Sequence, residues 1–279
     1  MARREFPAAI RWIVRILRPP VMLLTRRDWR GTEHLPSGGF VLAVNHVSHT
    51  DPVLVGHFLV DHGIPPRFLA KASLFHLPVF GRLVGAAGQI PVERGSDTAV
   101  TALESALQAV RRGDAVVIYP EGTITRDPDL WPMTGRSGAA RVSLMTGCPV
   151  IPMAQWGAQD ILAPYAKRLR LFPRRTISMR VGPPVELDDL RARELNAGVL
   201  DEAADRILDA ITALLADIRQ QPPPAVRHDP RAPIQPSPVD PNRPAPITSA
   251  PTQPSAPDTP PSADDPDTDP RLGDVAKGA

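Results

Sequence analysis

The sequence is poor in residues that form disulfides and metal sites, because it contains one cysteine, Cys148, among 279 residues. A single cysteine excludes an internal disulfide and a cysteine-based metal site, and it is consistent with a reducing compartment. No apolar stretch reaches the roughly 18 residues of a membrane span, and the N-terminus lacks the apolar centre and cleavage site of a signal peptide. We therefore expect no transmembrane segment and no export by the signal-peptide route.

Several common motifs are also missing. The chain has no GxGxxG and no GxxxxGK[ST], so it lacks the motifs that usually indicate dinucleotide binding and Walker-type nucleotide binding. It has no Gly-x-Ser-x-Gly elbow to present a nucleophilic serine, and no internal repeat. Any chemistry must come from residues outside these motifs.

Proline is abundant and unevenly placed. From Pro222 onward the chain carries 17 of its 35 prolines, separated by Ser, Thr, Asp and Ala and by almost no large apolar residue. Such a segment buries too little apolar surface to offset its chain entropy. We predict that residues 222–279 form a disordered tail without chemistry of its own, which leaves one folded unit of about 220 residues.

Positive charge is concentrated at the N-terminus. Eight arginines lie within residues 3–30 against two carboxylates, and residues 1–221 carry a net charge of +5. A basic end makes an anionic partner worth considering, whether phospholipid, nucleic acid or a phosphorylated substrate.

Residues 3–18 have the period of an amphipathic helix, with arginines on one face and large apolar residues on the other. Pro19-Pro20 is expected to end this helix. A basic amphipathic helix that contains Trp12 favours a membrane interface, so residues 1–30 are interpreted as a membrane-association segment. The alternative is a helix packed on its own domain with its arginines in water.

After Gly31 the predicted strands alternate with predicted helices, and the folded domain is placed at residues 31–221. The apolar runs predict strands at residues 40–44, 67–71, 89–92, 115–119, 150–154 and 176–181. Helices are predicted at residues 52–61, 77–85, 97–112, 137–145, 188–193 and 200–220. This alternation predicts an α/β fold with a mixed, largely parallel sheet covered by helices. In such sheets ligands collect at the strand ends.

An apolar strand, residues 41–44, runs directly into the polar residues 45–51, Asn-His-Val-Ser-His-Thr-Asp. Pro52 then suits the first turn of a helix. His46 and Asp51 would sit between a strand end and a helix start, where a carboxylate can hold an imidazole, so they are candidates for acid–base chemistry. The alternative is that the polar residues of this stretch are only turn and N-cap residues.

Three other candidates follow predicted strands. Arg94 comes just before a helix start, where its guanidinium could meet a phosphate. Glu121, within Pro120-Glu121-Gly122-Thr123, could accept from a substrate hydroxyl or orient an arginine, and glycine there would let the backbone approach a ligand. Lys71 is a further candidate anion contact. The alternatives are a solvated arginine at a strand end and a plain β-turn with an exposed glutamate.

Two residues have more than one interpretation. His49 lies three residues from His46, but a histidine pair with one carboxylate and no cysteine is a thin ligand set, so we expect no metal. His49 is expected at the site entrance or as a helix cap. Trp131 is either packed in the usual way or faces a membrane or an acyl pocket.

The candidates resemble, in order and spacing, the four sequence blocks of the glycerolipid acyltransferases, and most closely those of the 1-acylglycerol-3-phosphate acyltransferases of phosphatidic acid synthesis. The match covers about residues 30–185. An isolated H-x4-D occurs by chance in many chains, whereas four ordered blocks at predicted strand ends form a specific pattern. The blocks are Asn45-His46-x-Ser48-x-x-Asp51, Gly88-x-Ile90-x-Val92-x-Arg94, Pro120-Glu121-Gly122-Thr123 and Val150-Ile151-Pro152.

The resemblance implies a glycerol-3-phosphate acyltransferase-like fold and a role for each block. In the family the first-block histidine is the general base and the aspartate holds its imidazole, roles that fall on His46 and Asp51. The acceptor hydroxyl then attacks an acyl thioester without a covalent acyl-enzyme. The second and third blocks bind the acceptor: Arg94 binds its phosphate, and Glu121, Gly122 and Thr123 bind the rest. The fourth block, residues 150–152, shapes the acyl or thioester pocket.

The sequence departs from the family pattern after the third block. An arginine usually follows Glu-Gly-Thr there, whereas this chain has Ile124, then Thr125 and Arg126. Ile124 cannot bind a phosphate, so that contact would move to Arg126 or Arg136. The departure weakens the inference to lysophosphatidic acid as acceptor and leaves the acyl-transfer chemistry untouched.

The resemblance therefore implies an enzyme that moves a fatty acyl group from acyl-CoA or acyl-carrier protein to the free hydroxyl of 1-acylglycerol 3-phosphate, forming phosphatidic acid. It implies no cofactor and no metal. The expected partners are the lysophospholipid acceptor, the thioester donor and an anionic membrane surface, with no nucleic acid. The expected location is the cytoplasmic face of the cell membrane, as a peripheral or monotopic protein. Other acceptors of the lyso-lipid or glycerol phosphate class, a non-catalytic lipid-binding module, and a hydrolase in which His46 activates water stay open as alternatives.

Overall fold

The fold is built on a seven-stranded sheet with the order β1-β7-β6-β2-β5-β3-β4. The computed structural model describes residues 5–92 and 98–231. The strands are β1 (Thr25–Arg30), β2 (Phe40–Val44), β3 (Pro66–Lys71), β4 (Ile90–Val92), β5 (Ala115–Ile118), β6 (Val150–Trp156) and β7 (Arg175–Val181). β2 to β6 are mutually parallel, β7 is antiparallel to β6, and β1 is parallel to β7. The predicted mixed, largely parallel α/β sheet is confirmed.

Helices cover both faces of the sheet. They are α1 (Ala8–Leu24), α2 (Asp51–Asp61), α3 (Phe80–Ala86), α4 (Thr98–Arg111), α5 (Gly138–Thr146), α6 (Ala158–Ile161), α7 (Asp188–Arg191) and α8 (Ala197–Arg219), with 3₁₀ turns at Thr32–His34 and Ala72–His76. β2 is buried along its whole length because it is covered on both faces. Val41 and Ala43 pack towards α4, α5 and α8, whereas Phe40, Leu42 and Val44 pack towards α2.

The strand directions bring several chain segments to one edge of the sheet. β2 to β6 end at this edge, and β1 and β7 begin there because they run the opposite way. The loops after β2 and β5, the segment between α6 and β7, and the C-terminal end of α1 therefore meet at one edge. We call it the site edge.

The N-terminal helix differs from its prediction. α1 continues to Leu24 and contains both Pro19 and Pro20, which were expected to end it. Both prolines lie on the exposed side, where carbonyls that lose their helical partners are open to water. Residues 25–30, assigned in the sequence to membrane association, form edge strand β1, so the sheet begins before residue 31. None of the helices in the described ranges has the length and apolar character to cross a membrane.

The folded part also extends beyond the predicted boundary at residue 221. Arg227 forms ion pairs with Asp205 and Asp209 of α8. The main-chain N–H of Thr134 donates to the carbonyl of His228 at 2.9 Å. The chain thus follows α8 for several residues after the predicted start of the tail, and residues 232–279 of that tail lie outside the described residues.

Candidate active site

The loop after β2 holds a histidine against a buried carboxylate. Asp51 is fully buried at the start of α2, and its Oδ2 lies 2.7 Å from Nδ1 of His46. The same oxygen accepts from the main-chain N–H groups of Val47 at 2.7 Å and Ser48 at 2.9 Å. Because Oδ2 accepts all three bonds, Nδ1 of His46 carries the proton in the neutral ring. Nε2 is then the ring nitrogen that can accept a proton.

Burial raises the pKa of the Asp51 carboxyl, and the neighbouring imidazole of His46 acts in the opposite direction. Its second oxygen, Oδ1, is buried and has no hydrogen-bond partner among the described residues. A positive charge on His46 would therefore stabilise the ionised form of Asp51, because this carboxylate is buried and poorly solvated. The arrangement favours an imidazole that gains a proton during a reaction.

The main chain of His46 is held from both sides by the loop after β5. Its N–H donates to Oε1 of Glu121 at 2.9 Å, and its carbonyl accepts from the main-chain N–H of Thr125 at 2.8 Å. The other oxygen of Glu121 accepts from the N–H of Met133 at 3.2 Å. These bonds fix the histidine relative to a second strand, β5, and not only to its own loop.

Glu121 was predicted to bind the acceptor, and its surroundings favour a different role. The residue is 4% exposed, and both carboxylate oxygens are used by main-chain donors. Burial is the largest influence on its carboxyl and raises the pKa of Glu121 to about 8. Its contacts are those of a positioning residue for His46, and direct substrate binding by Glu121 stays a prediction.

Two further contacts of this site were not predicted from the sequence. The ring of Tyr119 stacks on the His46 imidazole, with centroids 4.2 Å apart and planes inclined by 21°. The Tyr119 hydroxyl is buried without a partner in the described part of the chain, and burial raises the pKa of this phenol. The stack limits the orientations open to the imidazole.

The second unpredicted contact joins the ends of β2 and β6 through two buried amides. Asn45 donates from Nδ2 to the carbonyl of Gln155 at 3.1 Å and accepts from its N–H at 2.8 Å. Gln155 donates from Nε2 to the carbonyl of Asn45 at 3.0 Å. A glutamine within an otherwise apolar buried strand is a sequence signal for such a pair, because a buried amide needs partners.

Comparison with known proteins relates the part of the chain that carries this site to a known family. A sequence model described as Acyltransferase matches residues 26–156, the region that contains β2, α2 and the loop after β5. Residues 26–156 therefore match an acyltransferase-family domain. This finding agrees with the resemblance drawn from the four sequence blocks.

Relatives of the acyltransferase domain carry names in glycerolipid synthesis. A chloroplastic 1-acyl-sn-glycerol-3-phosphate acyltransferase of Brassica napus is 31% identical over 140 residues, covering 49% of this chain and 39% of that protein. The 1-acyl-sn-glycerol-3-phosphate acyltransferase of Borreliella burgdorferi is 29% identical over 132 residues, covering 47% and 51%. A lyso-ornithine lipid O-acyltransferase of Pseudomonas aeruginosa is 32% identical over 134 residues, covering 47% and 49%. The chain thus spans about half or less of the length of these curated relatives.

The fold of the acyltransferase domain also has a solved counterpart. The 1-acyl-sn-glycerophosphate acyltransferase PlsC of Thermotoga maritima superposes with a TM-score of 0.57 at 19% identity, covering 77% of this chain and 81% of that chain. At this identity the likeness supports the fold. It agrees with the glycerolipid acyltransferase-like architecture expected from the sequence.

Several predicted substrate contacts of the acyltransferase domain lie around the turn after β5. Gly122 has a φ of 69°, which favours glycine. The side chain of Arg136 passes so close to Gly122 that a Cβ there would lie 3.2 Å from its Cδ and Nε. Thr123 beside it is partly buried, and Arg126 is exposed. Arg136 is thus the cation that lies against the predicted third block.

Other predicted contacts are more distant or cannot be placed. Lys71 is exposed at the end of β3, two strands from β2 in the sheet. Arg94 lies outside the described residues. Val150 and Ile151 are fully buried in β6, which pairs with β2, so they belong to the core. The role of this block in shaping the acyl or thioester pocket stays a prediction.

The position that departs from the family pattern is part of the packed structure. Ile124 is 2% exposed, and its carbonyl accepts from the hydroxyl of Tyr165 at 2.8 Å. An apolar side chain suits this buried position, which explains locally why isoleucine is tolerated. The side chain of residue 124 therefore contributes no positive charge to binding of an acceptor phosphate.

The two residues left open in the sequence have clear positions. His49 is exposed, and within the described ranges no group of three His, Cys, Asp or Glu side chains could hold a metal ion. Trp131 is buried and packs under the guanidinium of Arg219, 4.1 Å from its ring centroid, while the same guanidinium lies 4.5 Å from the ring of Trp156. Trp131 is therefore a packing residue.

Proposed function

We propose that the protein transfers a fatty acyl group from an acyl thioester to the free hydroxyl of 1-acylglycerol 3-phosphate, forming phosphatidic acid. The observation that carries the proposal is the bond between Nδ1 of His46 and buried Asp51, in a domain whose relatives include named 1-acyl-sn-glycerol-3-phosphate acyltransferases. The proposed donor is acyl-CoA or acyl-carrier protein, and the reaction needs no cofactor.

In the proposed reaction His46 acts as the general base. Nε2 takes the proton of the acceptor hydroxyl while the oxygen attacks the thioester carbonyl carbon. A C–O bond forms, the C–S bond breaks, and the proton held by His46 passes to the departing thiolate. Asp51 keeps Nδ1 protonated through its bond to Oδ2 and stabilises the imidazolium between these two transfers.

The acceptor phosphate is proposed to meet cations around the turn after β5. Arg136 is exposed and lies across Gly122, next to the loop that holds His46. A guanidinium there can bind phosphate with two parallel hydrogen bonds. Arg126, Lys71 and Arg94 are further proposed contacts.

A second acceptor class is supported by residue 124. Ile124 occupies the position where the family usually has arginine, and its apolar side chain is buried. The Pseudomonas aeruginosa relative is named for lyso-ornithine lipid. Acyl transfer to a lyso-lipid whose head group is not a phosphate is therefore the alternative that the same site supports.

The proposed setting is the cytoplasmic face of the cell membrane, with the protein bound peripherally or as a monotopic protein. α1 supports this setting because it exposes Trp12 and Ile16 between its arginines, and Leu23 near its C-terminal end. An amphipathic helix with this composition lies readily in an anionic interface.

The test is thiol release by the purified full chain with palmitoyl-CoA and a panel of acceptors, with acylated products identified by mass. The panel contains 1-acylglycerol 3-phosphate, lyso-ornithine lipid, glycerol 3-phosphate and no acceptor. We expect His46→Ala to lower turnover by about 10²–10⁴-fold. His49→Ala is the matched control because His49 is exposed three residues away.

Each of the other outcomes of this assay would indicate a different function. Thiol release that needs no acceptor would indicate a hydrolase, and no release with any donor or acceptor would indicate a lipid-binding module. Arg136→Gln should raise KM for the phosphate acceptor and leave KM for lyso-ornithine lipid unchanged. An equal effect on both acceptors would exclude Arg136 as the phosphate contact.

A further inference from the structure

The chain from the end of α6 to the first residue of β7 combines positive charge with exposed apolar side chains. Residues 162–175, which we call the basic segment, contain five cations and no carboxylate. Leu169 is 52% exposed, Leu171 37% and Phe172 76%. Exposed large apolar residues in one short stretch are uncommon on a protein surface that faces only water. The cations are Lys167, Arg168, Arg170, Arg174 and Arg175.

The basic segment is tied to the active-site loops. At its start the carbonyl of Leu162 accepts from the hydroxyl of Ser48 at 2.7 Å. Further along, the hydroxyl of Tyr165 donates to the carbonyl of Ile124 at 2.8 Å. These bonds connect the segment to the loops after β2 and β5, which carry His46 and Glu121.

Its other end is tied to α1. A guanidinium nitrogen of Arg174 donates to the carbonyls of Met22 at 2.9 Å and Thr25 at 2.8 Å. The basic segment therefore lies between the active-site loops and the end of α1, on the site edge. A flat surface that approached this edge could meet α1 and the basic segment together.

The basic segment also encloses a groove of about 430 Å³. Three arginines and three large apolar side chains contribute to its lining: Arg168, Arg170, Arg175, Leu169, Leu171 and Phe172. This mixture suits an amphiphile that carries a phosphate beside an apolar chain. A nucleic acid would use the arginines but would gain little from exposed leucines, so the composition favours a lipid.

We propose that the basic segment is a second membrane-binding element, separate from α1, that inserts Leu169, Leu171 and Phe172 into an anionic bilayer while Arg168 and Arg170 bind lipid phosphates. Charge complementarity selects an anionic bilayer as its occupant. The proposal rests on the proposed use of a lipid acceptor. It would let the site edge beside His46 face the bilayer through two neighbouring elements, the basic segment and α1.

The first test measures binding of the full chain to sedimented vesicles of phosphatidylglycerol and phosphatidylcholine in equal parts. Each arginine near an anionic surface contributes about a factor of five in affinity. We expect Arg168→Gln with Arg170→Gln to weaken binding by about 10–30-fold and Leu169→Ser to weaken it by at least a few-fold. On vesicles of phosphatidylcholine alone the arginine pair should have little effect.

The controls lie at the opposite edge of the sheet. Arg111→Gln with Arg112→Gln removes the same charge before the start of β5. Leu195→Ser replaces a leucine of similar exposure, 44%, next to α7, whose Arg191 binds the carbonyl of Cys148 just before β6. Both control variants should bind vesicles as the native chain does.

The second test reports insertion directly. In a Cys148→Ser background, Phe172→Cys carries an environment-sensitive nitrobenzoxadiazole label, and Leu195→Cys carries the same label as control. We expect the label at position 172 to brighten and shift to the blue on addition of anionic vesicles, and the label at 195 to stay unchanged. Both positions are exposed, so labelling should not disturb the fold.

Three results would overturn the proposal. One is vesicle binding by the arginine pair and Leu169→Ser at the native level. Another is no change of the label at residue 172 in the presence of vesicles. The third result comes from a parallel assay with duplex DNA: the variant that lacks the arginine pair would lose DNA binding but keep native vesicle binding. All readouts measure binding, so the acyl-transfer proposal can fail while this one stands, and the reverse.

Discussion

Glu121 accepts a hydrogen bond from the main-chain N–H of His46, at 2.9 Å, although the two residues are 75 positions apart in the sequence. With the bond from Thr125 to the His46 carbonyl, the loop after β5 holds both the N–H and the carbonyl of the proposed base. The position of the imidazole therefore depends on two strands, β2 and β5, which lie side by side in the sheet. A substitution in the loop after β5 should therefore change the chemistry of His46 in the loop after β2.

Glu121→Ala should lower both turnover and stability. It leaves the N–H groups of His46 and Met133 without their acceptors, at a cost of about 1–3 kcal/mol for each. If Glu121 only positions His46, kcat should fall while KM for the acceptor stays near its native value. The measurements are steady-state kinetics and urea unfolding. A rise in KM with unchanged kcat would assign Glu121 to substrate binding, as the sequence predicted.

Stability should depend on pH through the same carboxyl. Burial raises the pKa of Glu121 to about 8 in the folded protein, above its usual value near 4.5 in an unfolded chain. The folded state then binds the proton more tightly, so the stabilisation is complete below pH 4.5 and is lost as the pH rises towards 8. Urea unfolding of the native chain and of Glu121→Gln at pH 5, 6.5 and 8 should show the native advantage shrinking. A constant or growing difference would contradict this direction.

The parts of this protein that could be predicted are those whose signals are local. β2 and β5 are short apolar runs with polar neighbours, and their predicted bounds agree with the structure to within one residue. His46 lies in the loop after β2 and Asp51, five residues later, begins α2, so their spacing alone brings them together. The order of the four blocks can also be recognised in the sequence without knowing the order of the strands in the sheet.

The parts that were missed depend on contacts between distant segments. Thr25–Arg30 has the sequence TRRDWR, which has no strand pattern, and it forms β1 because β7 offers a partner at the sheet edge. The stacking of Tyr119 on His46 follows from the neighbouring positions of β5 and β2, which sequence order does not give. Nor does a local Pro-Glu-Gly-Thr pattern show which groups the Glu121 carboxylate meets.

Asp51→Asn should separate the electrostatic role of Asp51 from its shape. The amide can still accept through one oxygen from Val47 and Ser48, but it carries no charge to stabilise an imidazolium on His46. We expect kcat to fall by about 10²–10⁴-fold with a smaller effect on acceptor KM. Asp160→Asn, at an exposed position of α6, is the control. Native turnover by Asp51→Asn would remove Asp51 from the mechanism.

Tyr119 offers the sharpest comparison because its ring and its hydroxyl have different surroundings. The hydroxyl is buried without a partner among the described residues, so Tyr119→Phe removes an unsatisfied polar group and keeps the ring over His46. We expect this variant to be as stable as the native protein or more stable by about 1 kcal/mol, with turnover retained. Tyr119→Leu keeps an apolar side chain but loses the stacked ring, which should lower the free energy of unfolding and reduce kcat by freeing the imidazole. Urea unfolding and thiol release measure the two effects. If Tyr119→Phe lost turnover as Tyr119→Leu does, the hydroxyl would have a role in the reaction that its burial does not suggest.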